Sequence, residues 1–216
     1  MSVRPEFGPS LPALLAARGM SRRAMIGGAI VLVAVAVGGW FAIQAARDRE
    51  HLVVDGPPEV NLVYAPSVLH EEPARDDELL RLEGARKRLR VELTVRPVEV
   101  PAYDRGNVVG GYLPLLAEQR LDDLGHVYGK VEVFDEGKSR INRFPGYQIG
   151  FGARTADGHR IFGRDAYVFP DDPQATEGVL VSLRRFPRGR QRVADDEFFD
   201  KAKEAYASFA FGSGQP

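Results

Sequence analysis

The sequence predicts an α+β domain: a mostly antiparallel sheet of about six or seven strands with two main helices packed on it, preceded by one transmembrane helix. Three observations carry this. Ala24 to Ala46 runs for 23 residues without a charge. Beyond it, several short segments alternate apolar and polar residues, the mark of strands with one buried face. Two longer segments place apolar residues at helical spacing instead. The 216 residues and net charge of -1 suit one domain with an appendage, and exclude a strongly basic nucleic-acid binder. The chain has no cysteine, so disulfides, thiolate metal sites and cysteine nucleophiles are excluded.

The first element is the charge-free run AMIGGAIVLVAVAVGGWFAIQAA. A helix of that length spans about 34 Å, against roughly 30 Å of bilayer hydrocarbon. A buried core helix and a cleavable signal peptide are the alternatives. Core helices are shorter and flanked by amphipathic pattern. A signal peptide needs an apolar core of about 7–15 residues and a small-x-small cleavage site, and Ile43-Gln44-Ala45 fits that site poorly. An uncleaved signal anchor is therefore expected. Arg4, Arg18, Arg22 and Arg23 precede the span, and Arg47 and Arg49 closely follow it. Positive residues favour the cytoplasmic side, which places the N-terminus inside and the rest outside the cytoplasm.

The expected organisation is a cytoplasmic tail over 1–23, the membrane helix over 24–46, a linker over 47–58 ending in Gly56-Pro57-Pro58, a folded domain over 59–212 and a flexible end over 213–216. The part after the span carries 25 basic and 29 acidic residues, a solvent-facing balance rather than a polybasic membrane patch.

Within the domain, Leu89, Val91, Leu93 and Val95 alternate strictly with polar residues. Shorter strand signals lie at Val60-Leu62-Tyr64, Leu80-Leu82, Val131-Val133, Ile149-Phe151-Ala153 and Val179-Val181-Leu183. Ile161 to Phe169 is a further strand, mixed on both faces. Short links such as Asp157-Gly158 imply hairpins and antiparallel pairing. One helix starts near Pro114, with Leu113, Leu116, Ala117, Leu121, Leu124 and Tyr128 on its apolar stripe. A second is expected over Asp195 to Phe209, with Phe198, Ala202, Ala205, Tyr206 and Phe209 inward. Asp195, Asp196 and Glu197 fall in its first turn, where the helix dipole favours carboxylates, so they read as a cap rather than an active site. The order is three strands, helix, four strands, helix.

That order resembles the PsbP-like superfamily. So do the last strand Gly178-Val179-Leu180-Val181-Ser182-Leu183, the closing Ser208-Phe209-Ala210-Phe211-Gly212 and the opening Val60-Asn61-Leu62-Val63-Tyr64-Ala65-Pro66. The superfamily includes the extrinsic photosystem II protein, a Ran-binding nuclear import factor and bacterial envelope lipoproteins. The resemblance covers roughly residues 59–212 and implies binding or assembly rather than catalysis, with no shared catalytic residues to carry over. The lipoproteins are anchored through a lipidated cysteine. This chain has none, and the resemblance implies anchorage through its helix instead.

The chemistry-bearing residues are sparse. His51, His70, His126 and His159 are too far apart in sequence for a helical metal pair. Ser67, Ser139 and Ser182 lack a nucleophile motif, although a triad can assemble in space alone. Gly106, Gly110 and Gly111 do not lead into the Lys-Ser/Thr of a phosphate loop. Asp171-Asp172-Pro173 lacks calcium-loop spacing and reads as a turn. In the membrane segment, Ala34, Gly38, Ala42 and Ala46 form a small-residue ladder that chance accounts for. Arg184, Arg185, Arg188, Arg190 and Arg192 put five guanidiniums within nine residues. They read as a solvated loop or as an anion site, in which Arg188, Arg190 and Arg192 would meet phosphate-bearing polymers or headgroups. No cofactor, metal or nucleic acid is expected. The expected function is a bacterial, single-pass plasma-membrane protein whose extracytoplasmic module binds or assembles without catalysis. Its expected partners are the bilayer through 24–46 and an unidentified envelope protein or anionic polymer. An envelope hydrolase and a small-ligand or lipid carrier are the alternatives.

Overall fold

The computed structural model describes residues 22–101, 111–172, 175–189 and 193–214. The chain divides into two compact units, 1–47 and 48–216.

In the first unit, helix α1 runs Arg22–Arg47. Its side chains are described at 26–28, 30–40 and 43. Within the described residues no helix is long and apolar enough to cross a membrane.

The second unit is α+β. Strands β1 (Glu50–Val54), β2 (Val60–Tyr64) and β10 (Ala210–Phe211) form a small antiparallel sheet in the order β1-β2-β10. A seven-stranded antiparallel sheet comprises β3 (His70–Glu72), β4 (Leu80–Arg86), β5 (Leu89–Glu99), β6 (Val131–Ile141), β7 (Phe144–Arg154), β8 (Arg160–Val168) and β9 (Glu177–Pro187). Its order is β3-β4-β5-β9-β8-β7-β6. Helix α2 (Leu113–Tyr128) precedes β6, and α3 (Val193–Ala207) follows β9.

The two helices serve opposite sheet faces, as the period of two dictates. One face carries Leu82, Val91, Leu93, Val95, Val181 and Leu183. It packs against Phe198, Ala202 and Ala205 of α3 and against Val60 and Leu62 of the small sheet. This is the main core. The other face carries Leu180, Tyr167 and Phe151, and these meet Leu113, Leu116, Leu121 and Leu124 of α2. Pro114 lies in the first turn of α2, and Gly129 closes it with φ 76, its N–H on the carbonyl of Gly125.

Several elements differ from the sequence expectation. Glu50–Val54 lies inside the expected linker, yet it pairs with β2 and turns Leu52 and Val54 toward the core. Two apolar positions are too few to signal a strand alone; the partner supplies the ladder. The strands β3 and β10 are equally short. Strand β6 extends far beyond Val133, because an edge strand tolerates the charged segment Asp135–Arg140. Helix α3 ends at Ala207 rather than Phe209. There the Ser208 hydroxyl donates toward the carbonyls of Ala205 and Val63 and accepts the N–H of Val63, tying the helix end to β2.

Candidate functional site

The second unit holds a cleft of about 570 Å³ on the main-core face, beside α3 and over the β6–β9 side of the sheet. Its far wall is the β6–β7 hairpin. The two-residue turn Asn142-Arg143 closes it, with Asn142 at φ 54, a left-handed conformation that asparagine tolerates. Farther along β6, the pairing slips between Val133 and Asp135, leaving Phe134 as a bulge residue. Its ring lies over Gly150, where an added Cβ would come within 2.7 Å of it. Phe134 is 61% exposed.

The floor follows from strand alternation. Phe162 on β8 sits opposite Arg185 on β9, and Arg164 sits opposite Leu183. The near wall is a second stripe of α3, Phe199, Lys203 and Tyr206, adjacent to the stripe that faces the core. The Arg185 guanidinium lies over the rings of Phe162 and Phe199, at 4.7 and 5.0 Å from their centroids. The Lys203 ammonium lies 5.0 Å from the Phe199 centroid and bonds Asp200 at 2.7 Å. Arg164 and Gln148 both donate to Asp135, at 3.4 and 2.8 Å. Arg140 donates to the carbonyl of Arg143.

Among the described residues the lining thus holds four cations, three phenylalanines and no carboxylate or histidine. The Tyr206 hydroxyl is buried without a hydrogen-bond partner among the described residues. Burial pushes its phenol well above the ordinary value; Arg164 opposes this, and Asp165 and Asp135 add to it.

On the opposite sheet face lies a line of buried charge. Arg81 donates to Glu78 and Glu83 and pairs with Glu92 at 3.1 Å. Arg96 reaches Glu78 and Asp77. Asp165 is fully buried, accepts from Arg120 of α2 at 2.8 Å and has Arg184 at 3.8 Å. Burial alone would lower the Arg120 guanidinium, but the Asp165 carboxylate raises it above its ordinary value. These groups pair with one another and tie α2 to the sheet, while Asp165 Oδ1, Arg96 Nε and Arg184 Nε are buried without a hydrogen-bond partner among the described residues.

The arginine run is divided by the fold. Arg184 turns to Asp165 on one face and Arg185 to the cleft on the other. Arg188 is exposed, its backbone N–H on the carbonyl of Arg88. Arg190 and Arg192 lie outside the described residues, as do Gly106, Gly110 and Pro173. The histidines stay apart: His51 meets Asn61, His70 meets Glu72 and His126 meets the carbonyl of Asp122, while His159 bonds Thr155 through its backbone. Ser67 bonds Asp48. The hydroxyls of Ser139 and Ser182 are buried without partners among the described residues. Among those residues no group of His, Asp and Glu is placed to hold a metal ion.

Sequence reasoning missed the cleft. Its residues come from five separated segments, and the one local signal is the spacing of Phe199, Lys203 and Tyr206 on α3.

No protein-family model and no curated protein matches the chain. Among solved structures, it is similar to the cyanobacterial PsbP of Synechocystis sp. PCC 6803, at 9% identity and TM-score 0.51, over 76% of this chain and 93% of that one. LpqN of Mycobacterium tuberculosis, described as involved in cell envelope biogenesis, matches at 12% identity and TM-score 0.46, over 78% and 92%. The Ran-binding protein Mog1p of Saccharomyces cerevisiae matches at 11% and 0.45, over 75% and 95%. The first likeness shows that the second unit has a PsbP-like fold.

Proposed function

We propose that this chain is a membrane-anchored, extracytoplasmic binding or assembly module that carries out no reaction of its own. The observation that carries the binding reading is the lining of the cleft, cations and phenyl rings without a carboxylate or histidine. Proton transfer near neutral pH is most efficient with a group titrating near that pH. Tyr206, pushed further from it by burial, is a poor one. Of the alternatives, the cleft favours a small-ligand carrier over a hydrolase, because its described lining is partly apolar and has no carboxylate or histidine.

The anchor reading rests on the sequence. Twenty-three residues without a charge are long enough to span a bilayer, and the arginine excess before them favours an inside N-terminus. In this reading the protein is single-pass in the plasma membrane, with the second unit outside the cytoplasm. Arg188, Arg190 and Arg192 then offer a peripheral contact to an anionic envelope polymer or headgroup. That contact should weaken with salt, because exposed charges are screened over about 10 Å at 0.1 M.

Reporter fusions test the placement. An extracytoplasmic reporter joined after Gly212 should be active, and one joined after Ser2 should be silent. The reverse pattern would overturn the orientation. Replacing Arg188, Arg190 and Arg192 with Gln should remove most salt-sensitive binding to anionic vesicles, and unchanged binding would overturn the peripheral contact.

A further inference from the structure

We propose that the cleft beside α3 binds a small amphiphilic anion: a phosphate or carboxylate head on a compact apolar body. This rests on the reading of the second unit as a binding module, and it gives that module a ligand class.

Charge is the first argument. The lining contributes Arg140, Arg164, Arg185 and Lys203 and no carboxylate. Asp135 and Asp200 answer only two of the four, Arg164 and Lys203, and both of those side chains remain about half exposed. Arg185 has no ion pair with a described carboxylate. Its guanidinium lies over Phe162 and Phe199, contacts that hold it in the cleft and leave its charge free to meet an oxyanion.

The second argument is the apolar surface between these cations. Phe134 is exposed yet braced over Gly150, so its ring is presented rather than loose. A bare phosphate would leave the rings in water, and a neutral hydrocarbon would bring the cations no counter-charge. Only a ligand with both parts uses the whole lining. The volume of about 570 Å³ suits a small molecule, since such sites run about 300–1,000 Å³.

The third argument is Tyr206. Tyr206 contributes to the lining and to the main core, and its hydroxyl is buried with no partner among the described residues. A buried donor without an acceptor is costly, and a small turn of the side chain toward the cleft would let an anionic oxygen there supply the acceptor.

The test is calorimetry on the full chain in phosphatidylcholine nanodiscs, with protein-free discs as the blank and 2-naphthyl phosphate as the probe. Saturable binding is expected. Inorganic phosphate and 2-naphthol, the head and the body alone, should each bind about tenfold more weakly or worse. The double substitution Arg164→Gln, Lys203→Gln should weaken naphthyl phosphate by about tenfold or more, because charge-assisted hydrogen bonds are the strong ones. Tyr206→Phe should weaken it several-fold while keeping or raising the unfolding temperature, so it decides the matter if the double variant folds poorly. The proposal is overturned by no saturable heat with wild type, by equal affinity in the variants, or by inorganic phosphate binding as tightly as the naphthyl ester. A lipid headgroup shares this chemistry with a free amphiphile. Discs containing phosphatidate compete with the probe if the natural source is the bilayer and leave it unaffected if it is a free molecule; either result upholds the ligand class. Failure here with an active Gly212 fusion removes the ligand and leaves the module's placement. A silent fusion with naphthyl phosphate bound does the opposite.

Discussion

Replacing Arg81 by Met should unfold the second unit at a markedly lower temperature, and the loss should shrink as pH falls. Arg81 sits on β4 with a side chain 4% exposed. It donates from Nε and Nη2 to the two oxygens of Glu78, at 2.9 and 2.8 Å, and from Nη1 to Glu83 at 2.9 Å. Glu92 lies 3.1 Å from the same Nη1. The Glu78 side chain is fully buried, so Met would leave it with only Arg96 and the backbone N–H of Arg75. Removing one partner of a buried ion pair costs about 3–5 kcal/mol. For a unit of this size that corresponds to a Tm lower by about 6–20 °C. The pH dependence follows from Glu78. Burial alone would raise its carboxyl, but the hydrogen bonds from Arg81, Arg75 and Arg96 hold it below the ordinary 4.5. A lowered folded pKa gives stability that is present above the unfolded value and lost as pH falls through the folded one. Wild type should therefore lose stability on acidification below about pH 4.5. The variant, whose carboxylates gain by protonation, should lose less, and the gap should narrow. Thermal unfolding followed by near-UV circular dichroism at several pH values reads both effects. A Tm within about 2 °C of wild type at pH 7 would refute the structural assignment of this cluster.

Arg120→Met should cost a similar amount, about 3–5 kcal/mol, because it leaves the fully buried Asp165 carboxylate with only Arg184 at 3.8 Å. Adding Asp165→Asn should restore much of it, and a double variant no better than the single would contradict the pairing in denaturant titrations. Gly84→Ala should destabilise by more than the about 1–3 kcal/mol of ordinary overpacking, since its Cβ would sit 2.0 Å from the backbone oxygen of Val68; an unchanged urea midpoint would refute that close approach. Tyr206→Phe should be neutral or stabilising by about 1 kcal/mol in the same titration, because it removes a buried hydroxyl without a partner. Residues 48–216, released from α1, should unfold in one cooperative transition, having a core of their own; aggregation or a gradual melt would argue against it.

The parts of the fold that were legible in the sequence are those in which a residue's neighbours in space repeat the period of its neighbours in the chain. Leu89 to Val95 alternates because β5 is central and both flanking strands present the same apolar face to α3. The stripe of α2 was readable for the same reason. Strand β6 was not. Its segment from Asp135 to Arg140 is charged and half solvated, and what makes it a strand is hydrogen bonding to β7 across the Asn142 turn. The cleft was illegible because no single segment supplies more than a few of its residues. Arg188, Arg190 and Arg192 are close in the chain and so visible in the sequence, whereas the cleft's cations come together from β6, β8, β9 and α3.

Adjacent arginines show how one sheet makes two different surfaces. Arg184 and Arg185 are chemically identical and one peptide apart, and strand alternation sends them to opposite faces. On the face of Arg184 each buried cation is matched: Arg81 with Glu78, Glu83 and Glu92, Arg120 and Arg184 with Asp165. In register, Arg184 lies opposite Glu92, and the diagonal pairs Arg81–Glu92 and Arg184–Asp165 flank that row. A matched array of this kind holds α2 in place and has little charge left for a ligand. On the face of Arg185 the guanidinium rests on two phenyl rings instead of a carboxylate. Those contacts position it without neutralising it. The excess positive charge of the cleft is thus a consequence of what the sheet places beneath it, rings rather than acids. That same substitution of rings for acids makes the cleft apolar enough to retain the body of a ligand whose head the arginines attract.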